Sequence, residues 1–309
     1  MEYRILGKTG LKVSALGLGC AALGGVYGEL TEAEATRTLH TALDEGINYL
    51  DTAPLYALTK SETITGKALK GIGRDRYYIS SKVGRYAVDD SDFSYQRVKE
   101  GLEGTLARLG CGYLDIVILH DIEFVPLNQV VEEGLRAALD AKAEGKVRFI
   151  GASGLPLKIY PAILARADLD VVITYANYTL QNTSVEGMLP LFEKHGLGVI
   201  NASPLGLGLL TPQGPQSWHL ADEGIKAACR EASEYCASRG VNIAELGMRF
   251  AMANPRIHVT LTGARTAEEA RRNARSVGVA PDEEMVAAVR RILAPALDRT
   301  WPVGRPEYQ

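Results

Sequence analysis

Eight short, apolar, β-prone runs recur along this 309-residue chain, and most of the intervals between them carry apolar residues at helical spacing. The runs are residues 14–18, 48–51 and 78–82, followed by "YLDIVILH", "KVRFIGAS", "LDVVITYA", "GLGVINAS" and "HVTLTG". A run such as "YLDIVILH", apolar without alternation, suits a strand covered on both faces. The helical segments carry their own signals. Thr31 and Glu34 stand in capping-box spacing ahead of a helix from Glu32, and a second helix is expected from Ser61. Residues 95–109 put Val98, Leu102, Leu106 and Leu109 on one face, and further helical character lies at 156–166, 184–194 and 222–253. This alternation predicts parallel strands joined by helical crossovers. Eight such units favour an α/β chain closed as a (β/α)8 TIM barrel over an open doubly wound sheet.

Two β-prone runs around Gly7 to Gly10 predict an N-terminal hairpin ahead of the first barrel strand. From Asp282 an extra C-terminal helix is expected, followed by "TWPVGRPEYQ", which has the composition of a loop. No linker or shift in composition divides the chain, so residues 1–309 are expected to form one barrel domain.

Charge narrows the partners. With 34 Lys and Arg against 37 Asp and Glu, the net charge of −3 offers no basic field for nucleic acid or anionic lipid. No stretch approaches the roughly 20 apolar residues of a membrane span. The start, "MEYRILGKTG", lacks the apolar core of an export signal, so a cytoplasmic protein is expected. Cys20, Cys111, Cys229 and Cys236 fit no CxxC spacing and read as free thiols.

In a barrel the reactive side chains sit where strands end and βα loops begin. Asp51 ends the second run with Tyr56 just beyond it, Lys82 ends the third and His120 the fourth. Each has a plain structural explanation: a strand-end Asp caps, a Lys lays its stem along apolar surface, a lone His is satisfied within a core. Their coincidence on three consecutive strands points to proton transfer. A phenol with a pKa near ~10 is a poor acid or base at neutral pH. A close ammonium favours its phenolate, and a carboxylate keeps that ammonium charged. Lys82 and Asp51 are therefore expected to lower the pKa of Tyr56, with His120 orienting a substrate oxygen.

Two competing motifs carry less weight. "GLGCAA", residues 17–22, fits G-x-G-x-x-A, but "LGGVYG" follows where a dinucleotide fingerprint needs a helix. His120, Asp121 and Glu123 could be drawn as metal ligands, but no second histidine lies near and Lys82 would set a cation beside them, so no metal is expected.

"LGLG" after the hairpin, "DTAPLY...SE", "SSK", "LDIVILH", "GKVRFIGAS" and "TGARTAEEARRN" together resemble the aldo-keto reductases, over essentially the whole chain. The resemblance implies a (β/α)8 barrel that binds NAD or NADP in extended form. It makes Tyr56 the acid/base, Lys82 and Asp51 its partners, and His120 the substrate-orienting residue. Within the family, "HDIEF", "SGLPLKIY", "TYANYTLQNTS" and "NASPLGLGLLT" look most like the dehydrogenases that oxidise L-galactose, L-fucose and D-threo-aldoses at C1. The implied partner is a small-molecule aldose. Reduction of an aldehyde by the same groups, or a cofactor-binding regulatory subunit like those of potassium channels, are the alternatives.

The resemblance also carries over cofactor positions. Ser153 matches the serine that helps to hold the nicotinamide carboxamide; Gly154 stands where asparagine is usual, and Tyr175 where glutamine is usual. Ser203, Leu205, Gly206 and Gly208 lie in a segment like the loop over the pyrophosphate. Gly263, Arg265, Glu269 and Asn273 match the adenosine end, where Arg265 suits a 2′-phosphate and Glu269 a free ribose hydroxyl. Tyr86, Asp121, Glu123 and Trp301 are candidate substrate residues from their loop positions. Ala57 and Leu58 replace the glycines that usually follow the family tyrosine.

Overall fold

In the computed structural model, which describes residues 1–309, the chain opens with an antiparallel hairpin of β1 (Tyr3–Ile5) and β2 (Lys12–Ser14). The eight expected runs follow as β3 (Leu16–Gly19), β4 (Tyr49–Asp51), β5 (Tyr78–Val83), β6 (Leu114–Leu119), β7 (Val147–Gly154), β8 (Val171–Tyr175), β9 (Gly198–Ala202) and β10 (Val259–Thr262). They pair in parallel, in chain order, and β10 returns to β3 to close the barrel. Closure leaves no strand edge unpaired.

The barrel divides its side chains between two cores. Ile116 and Ile118 of β6 point inward, where they meet Tyr49, Val171, Ile173, Ile200, Val259 and Leu261. Leu6, Leu11 and Val13 of the hairpin join this inner cluster and stopper one end of the barrel. Leu114, Val117 and Leu119 face outward into the larger core beneath the helices. Both faces of β6 are therefore buried, as its unbroken apolar run requires. Gly17 belongs to the inner packing: a Cβ there would lie 2.6 Å from Leu261 and 2.9 Å from Val259. The first glycine of "GLGCAA" thus serves barrel packing.

The helices refine the expectations. Glu32–Asp44 has its capping box, with Thr31 accepting from the Glu34 amide and Glu34 receiving the Thr31 N–H. The stretch 222–253 is two helices, Glu223–Ser238 and Ile243–Ala253, broken at left-handed Gly240 and restarted by Asn242, whose side chain caps Ala244 N–H. The stretches 156–166 and 184–194 shorten to helices Ile159–Leu164 and Leu189–Lys194. No helix is long and apolar enough to cross a membrane. All four cysteines are unpaired.

The tail is a loop, as its composition predicts, with one short turn at Pro306–Tyr308, but it is packed down on the barrel. After helix Glu283–Ile292, Trp301 is buried, the Arg305 N–H donates to the Glu123 carbonyl, and the Tyr308 hydroxyl accepts the Leu127 N–H at 2.9 Å. The last ten residues therefore pack across the loops at the C-terminal ends of the strands.

Helices Lys60–Leu69 and Tyr95–Leu109 touch at Gly66, where a Cβ would lie 2.3 Å from the Arg108 carbonyl oxygen and 2.8 Å from Leu109 Cα. At Gly104 the nearest atom is Arg108 Nη1, at 2.8 Å, a side-chain tip that can give by a few tenths of an ångström while Nε keeps its bond to Glu62. Gly66→Ala should therefore cost about 1–3 kcal/mol by overpacking. Gly104→Ala should add about 0.4–1 kcal/mol by restricting the unfolded chain. Urea unfolding of the two variants checks this, and a shift of the same sign in both would refute the packing argument.

Candidate active site

Asp51, Lys82 and His120 come from the C-terminal ends of β4, β5 and β6, which are neighbours in the barrel. The Lys82 ammonium contacts Asp51 Oδ1 and donates to the Thr52 carbonyl at 2.8 Å. Ser80 Oγ donates to Asp51 Oδ2 at 2.7 Å and accepts from the Tyr49 hydroxyl at 2.9 Å. Lys82 and Asp51 are both buried. Removing one partner of such a pair costs about 3–5 kcal/mol, because the other charge is left uncompensated. Thr52 and Ser80 escaped the sequence reading, although "DTAP" and "SSK" contain them.

Tyr56 reaches the pair from the loop after β4. Lys82 Nζ sits 4.6 Å from its ring centroid, and the His120 ring meets it edge-on at 5.9 Å. The turn that presents Tyr56 is unusual: Ala57, Leu58 and Thr59 all have positive φ, at 51°, 50° and 72°. Three side-chain-bearing residues in the left-handed region cost roughly 1–2 kcal/mol each. The Thr59 N–H to the Pro54 carbonyl (2.7 Å) and the Ser61 N–H to the Tyr56 carbonyl (3.3 Å) hold the turn. Ser61 Oγ bonds Thr52 and the Cys20 carbonyl. Glu62 accepts from Ser81, Thr105 and Arg108, bracing helix Lys60–Leu69 against β5 and helix Tyr95–Leu109.

The electrostatics correct one expectation. Burial pushes the Tyr56 phenol above its usual value; the Lys82 charge pulls it down, and Asp51 opposes that pull. The tyrosine is therefore a neutral acid at rest, because desolvation outweighs the ammonium. For Lys82, burial works against the charge, but Asp51 and Tyr56 raise its pKa overall, so the ammonium stays charged. Burial brings His120 down to about 3, which leaves a neutral imidazole whose Nδ1 has no protein partner.

A second group lines the neighbouring strand ends. Asp121, in the left-handed region (φ 48°), accepts from Arg85 Nη1 at 2.6 Å and from Ser153 Oγ at 3.1 Å. His120 Nε2 lies 3.8 Å from the same carboxylate. Burial opposes the Asp121 charge, but the Arg85 guanidinium, through its charge and its hydrogen bond, and the Ser153 hydroxyl hold its carboxyl below the usual range. Arg85, which stacks on Phe124 at 3.7 Å, had no sequence signal beyond its loop position. Glu123 is buried, and its Oε1 receives the Leu155 N–H (3.0 Å) and the Tyr175 hydroxyl (3.4 Å). Ser153, Gly154, Tyr175, Asp121 and Glu123 thus meet around the ends of β6, β7 and β8.

The remaining cofactor candidates form two groups. Ser203, Gly206, Leu207 and Gly208 all have positive φ, and the loop is held by His219. His219 Nδ1 accepts the Ala221 N–H, so its Nε2–H donates to the Gly206 carbonyl at 3.0 Å. Within the loop the Gly206 and Gly208 amides donate to the Ser203 and Leu205 carbonyls, which fixes its left-handed course. Leu205, next to them, packs on Gly247, where a Cβ would lie 3.0 Å from its side chain. The other group surrounds the start of helix Ala267–Arg275. Asn273 Nδ2 donates to the Gly263 carbonyl at 3.3 Å, and the Arg265 N–H donates to Glu269 Oε2 at 2.8 Å. The Arg265 guanidinium lies against Gly28 and the Glu29 carbonyl.

Two substrate candidates are not brought to this mouth. Tyr86 donates to the Arg97 carbonyl and packs on Gly101, so its ring is taken up by helix Tyr95–Leu109. Trp301 is buried edge-on against His219 at 4.6 Å, where it supports the glycine-rich loop.

A sequence profile of the Aldo/keto reductase family matches residues 15–294. The chain is 40% identical over 313 residues to L-galactose dehydrogenase of Arabidopsis thaliana, covering 98% of both chains. It is 30% identical over 256 residues to D-arabinose 1-dehydrogenase of Saccharomyces cerevisiae, covering 78% of this chain and 76% of that one. Among solved structures, an aldo-keto reductase of Bacillus halodurans in its holo form superposes with a TM-score of 0.79 at 27% identity, covering 97% and 98% of the two chains.

The turn beyond Tyr56 offers a direct check of the strain. Leu58 is 70% exposed, so its side chain gives little packing in return for its left-handed backbone. Leu58→Gly should raise stability by about 1 kcal/mol, seen as a higher denaturation midpoint; a lower midpoint would mean that the leucine side chain holds the turn.

Proposed function

The chain belongs to the aldo/keto reductase family, and on that premise we propose that it is a nicotinamide-dependent aldose 1-dehydrogenase. It would oxidise a sugar such as L-galactose or L-fucose at C1 to the aldonolactone. The observation that carries this reading is the adjacency of Tyr56, the Lys82–Asp51 pair and His120 on neighbouring strand ends. The likeness to L-galactose dehydrogenase along almost the whole chain supports the substrate class.

The residues fit a dinucleotide. The loop Ser203–Gly208, with the Leu205 and Leu207 amides outside its internal hydrogen bonds, would lie over the pyrophosphate, and the group around helix Ala267–Arg275 offers donors and acceptors to an adenosine end. A bound NAD(P) would supply the acceptor for the hydride that leaves C1. His120, kept neutral, holds the C1 oxygen, and Tyr56 exchanges the proton of that oxygen. Lys82, kept charged by Asp51, stabilises the phenolate that Tyr56 becomes when it acts as base. In reverse, the neutral Tyr56 donates its proton to an aldehyde oxygen.

Because burial raises the Tyr56 pKa, the basic form grows as pH rises. Oxidation should therefore speed up toward alkaline pH, while reduction, which uses the neutral phenol, should stay level through the same range. Tyr56→Phe should abolish turnover in both directions while leaving NAD affinity within a few-fold. Initial rates and dinucleotide titration check this, and retained turnover would remove Tyr56 from the acid/base role.

Of the two dinucleotides, we assign NAD as preferred. The Glu269 carboxylate already accepts an amide at this helix N-terminus, and Glu268 lies beside it in the first turn. With the Arg265 guanidinium turned to Gly28 and the Glu29 carbonyl, a 2′-phosphate would meet the Glu269 carboxylate, whereas a ribose hydroxyl can donate to it. Glu269→Ala should raise kcat/KM with NADP about tenfold, equivalent to about 1.4 kcal/mol, and change NAD by less. An unchanged ratio would overturn the assignment.

A further inference from the structure

Glu123 presents a carboxyl group with one oxygen fully engaged and the other without a partner. Oε1 accepts from the Leu155 amide and the Tyr175 hydroxyl, while Oε2 is buried and has no hydrogen-bond partner in the protein. Two glycines leave room for the group. A Cβ on Gly154 would lie 2.9 Å from Oε2, and one on Gly304 would lie 2.6 Å from Glu123 Cγ. A buried polar atom left unpaired costs about 1–3 kcal/mol, and here it sits among Ser153, Gly154 and Tyr175 at the ends of β7 and β8.

Resting on the nicotinamide-dependent reading above, we propose that Glu123 is a ligand-binding residue whose Oε2 donates a hydrogen bond to an acceptor oxygen, either of the cofactor's carboxamide or of the sugar. Because Oε1 already accepts two bonds, the proton of the neutral acid belongs on Oε2. The charged and titratable groups around the carboxyl are Asp121 on its own loop, Arg85 from the loop after β5, Tyr160 from helix Ile159–Leu164 and Tyr175 from β8. The tail contributes only the Arg305 backbone, since that guanidinium is paired with Glu307. Burial, and then repulsion from Asp121, push the carboxyl up to about 8. The acid is thus a donor at neutral pH, and as pH rises through this value it becomes an anion that repels an acceptor oxygen.

The test is binding to the full-length protein between pH 6 and 10, with NAD and with ADP-ribose, which lacks the carboxamide. The KM for L-galactose at saturating NAD is measured alongside. Glu123→Gln keeps a donor in place and cannot ionise. Wild-type affinity for NAD should be level below pH 8 and fall about tenfold per unit above it. ADP-ribose should show no such break, and neither should NAD on the Gln variant. A break confined to the KM for the sugar identifies the acceptor oxygen as the sugar's. A break shared by NAD and ADP-ribose, a break persisting in Glu123→Gln, or none in any ligand would overturn the proposal. Absence of any dinucleotide binding at pH 6 would instead overturn the cofactor reading itself.

Discussion

A lysine and an aspartate buried side by side cannot exist singly at that depth. Either charge alone would cost several kcal/mol of lost hydration, so Lys82 requires Asp51, and both require the strand neighbours that hold them. Ser80 fixes the second oxygen of the aspartate, the Thr52 carbonyl takes a further proton of the ammonium, and Tyr49 supports Ser80 from inside the barrel. The pairing of β4 with β5, which aligns Asp51 with Ser80, is what brings these groups together. Tyr56 and His120 then act in an environment whose charge is already set.

Several costly features lie around that pair. A left-handed turn of three residues carrying side chains presents Tyr56, and Asp121 is also left-handed next to His120. Glu123 keeps a carboxyl oxygen unpaired. None of these serves the cores, which are apolar and fully formed elsewhere. Unpaired polar atoms also occur on helices Lys60–Leu69 (Thr65 Oγ1) and Ile243–Ala253 (Arg249 Nε), so what sets this end of the barrel apart is the coincidence of left-handed backbone with buried ionisable groups.

Much of this was legible in the residues. Strand positions follow from unbroken apolar runs, the first helix from Thr31 and Glu34, and the proposed catalytic group from ionisable residues at three consecutive strand ends. Other features depended on context. The Gly240 break in the 222–253 stretch reads locally as one more glycine, and only the packing of two helices reveals it as a turn. Tyr86 has the right loop position but spends its hydroxyl on Arg97. The tail reads as loop, yet its backbone pairs with Glu123 because the barrel leaves those loops uncovered.

The amino-acid sequence by itself determined the barrel and its family, and it marked Asp51, Lys82 and His120 as strand-end neighbours, because periodicity, capping and motif spacing are properties of neighbours along the chain. Tertiary structure decided how those residues behave. Burial sets the direction in which Tyr56, His120 and Glu123 titrate, and burial is a sum over atoms from β4, β5, β6, the connecting loops and the C-terminal tail. The lysine beside Tyr56 suggested a lowered pKa; the surrounding protein, by excluding water, reversed the sign.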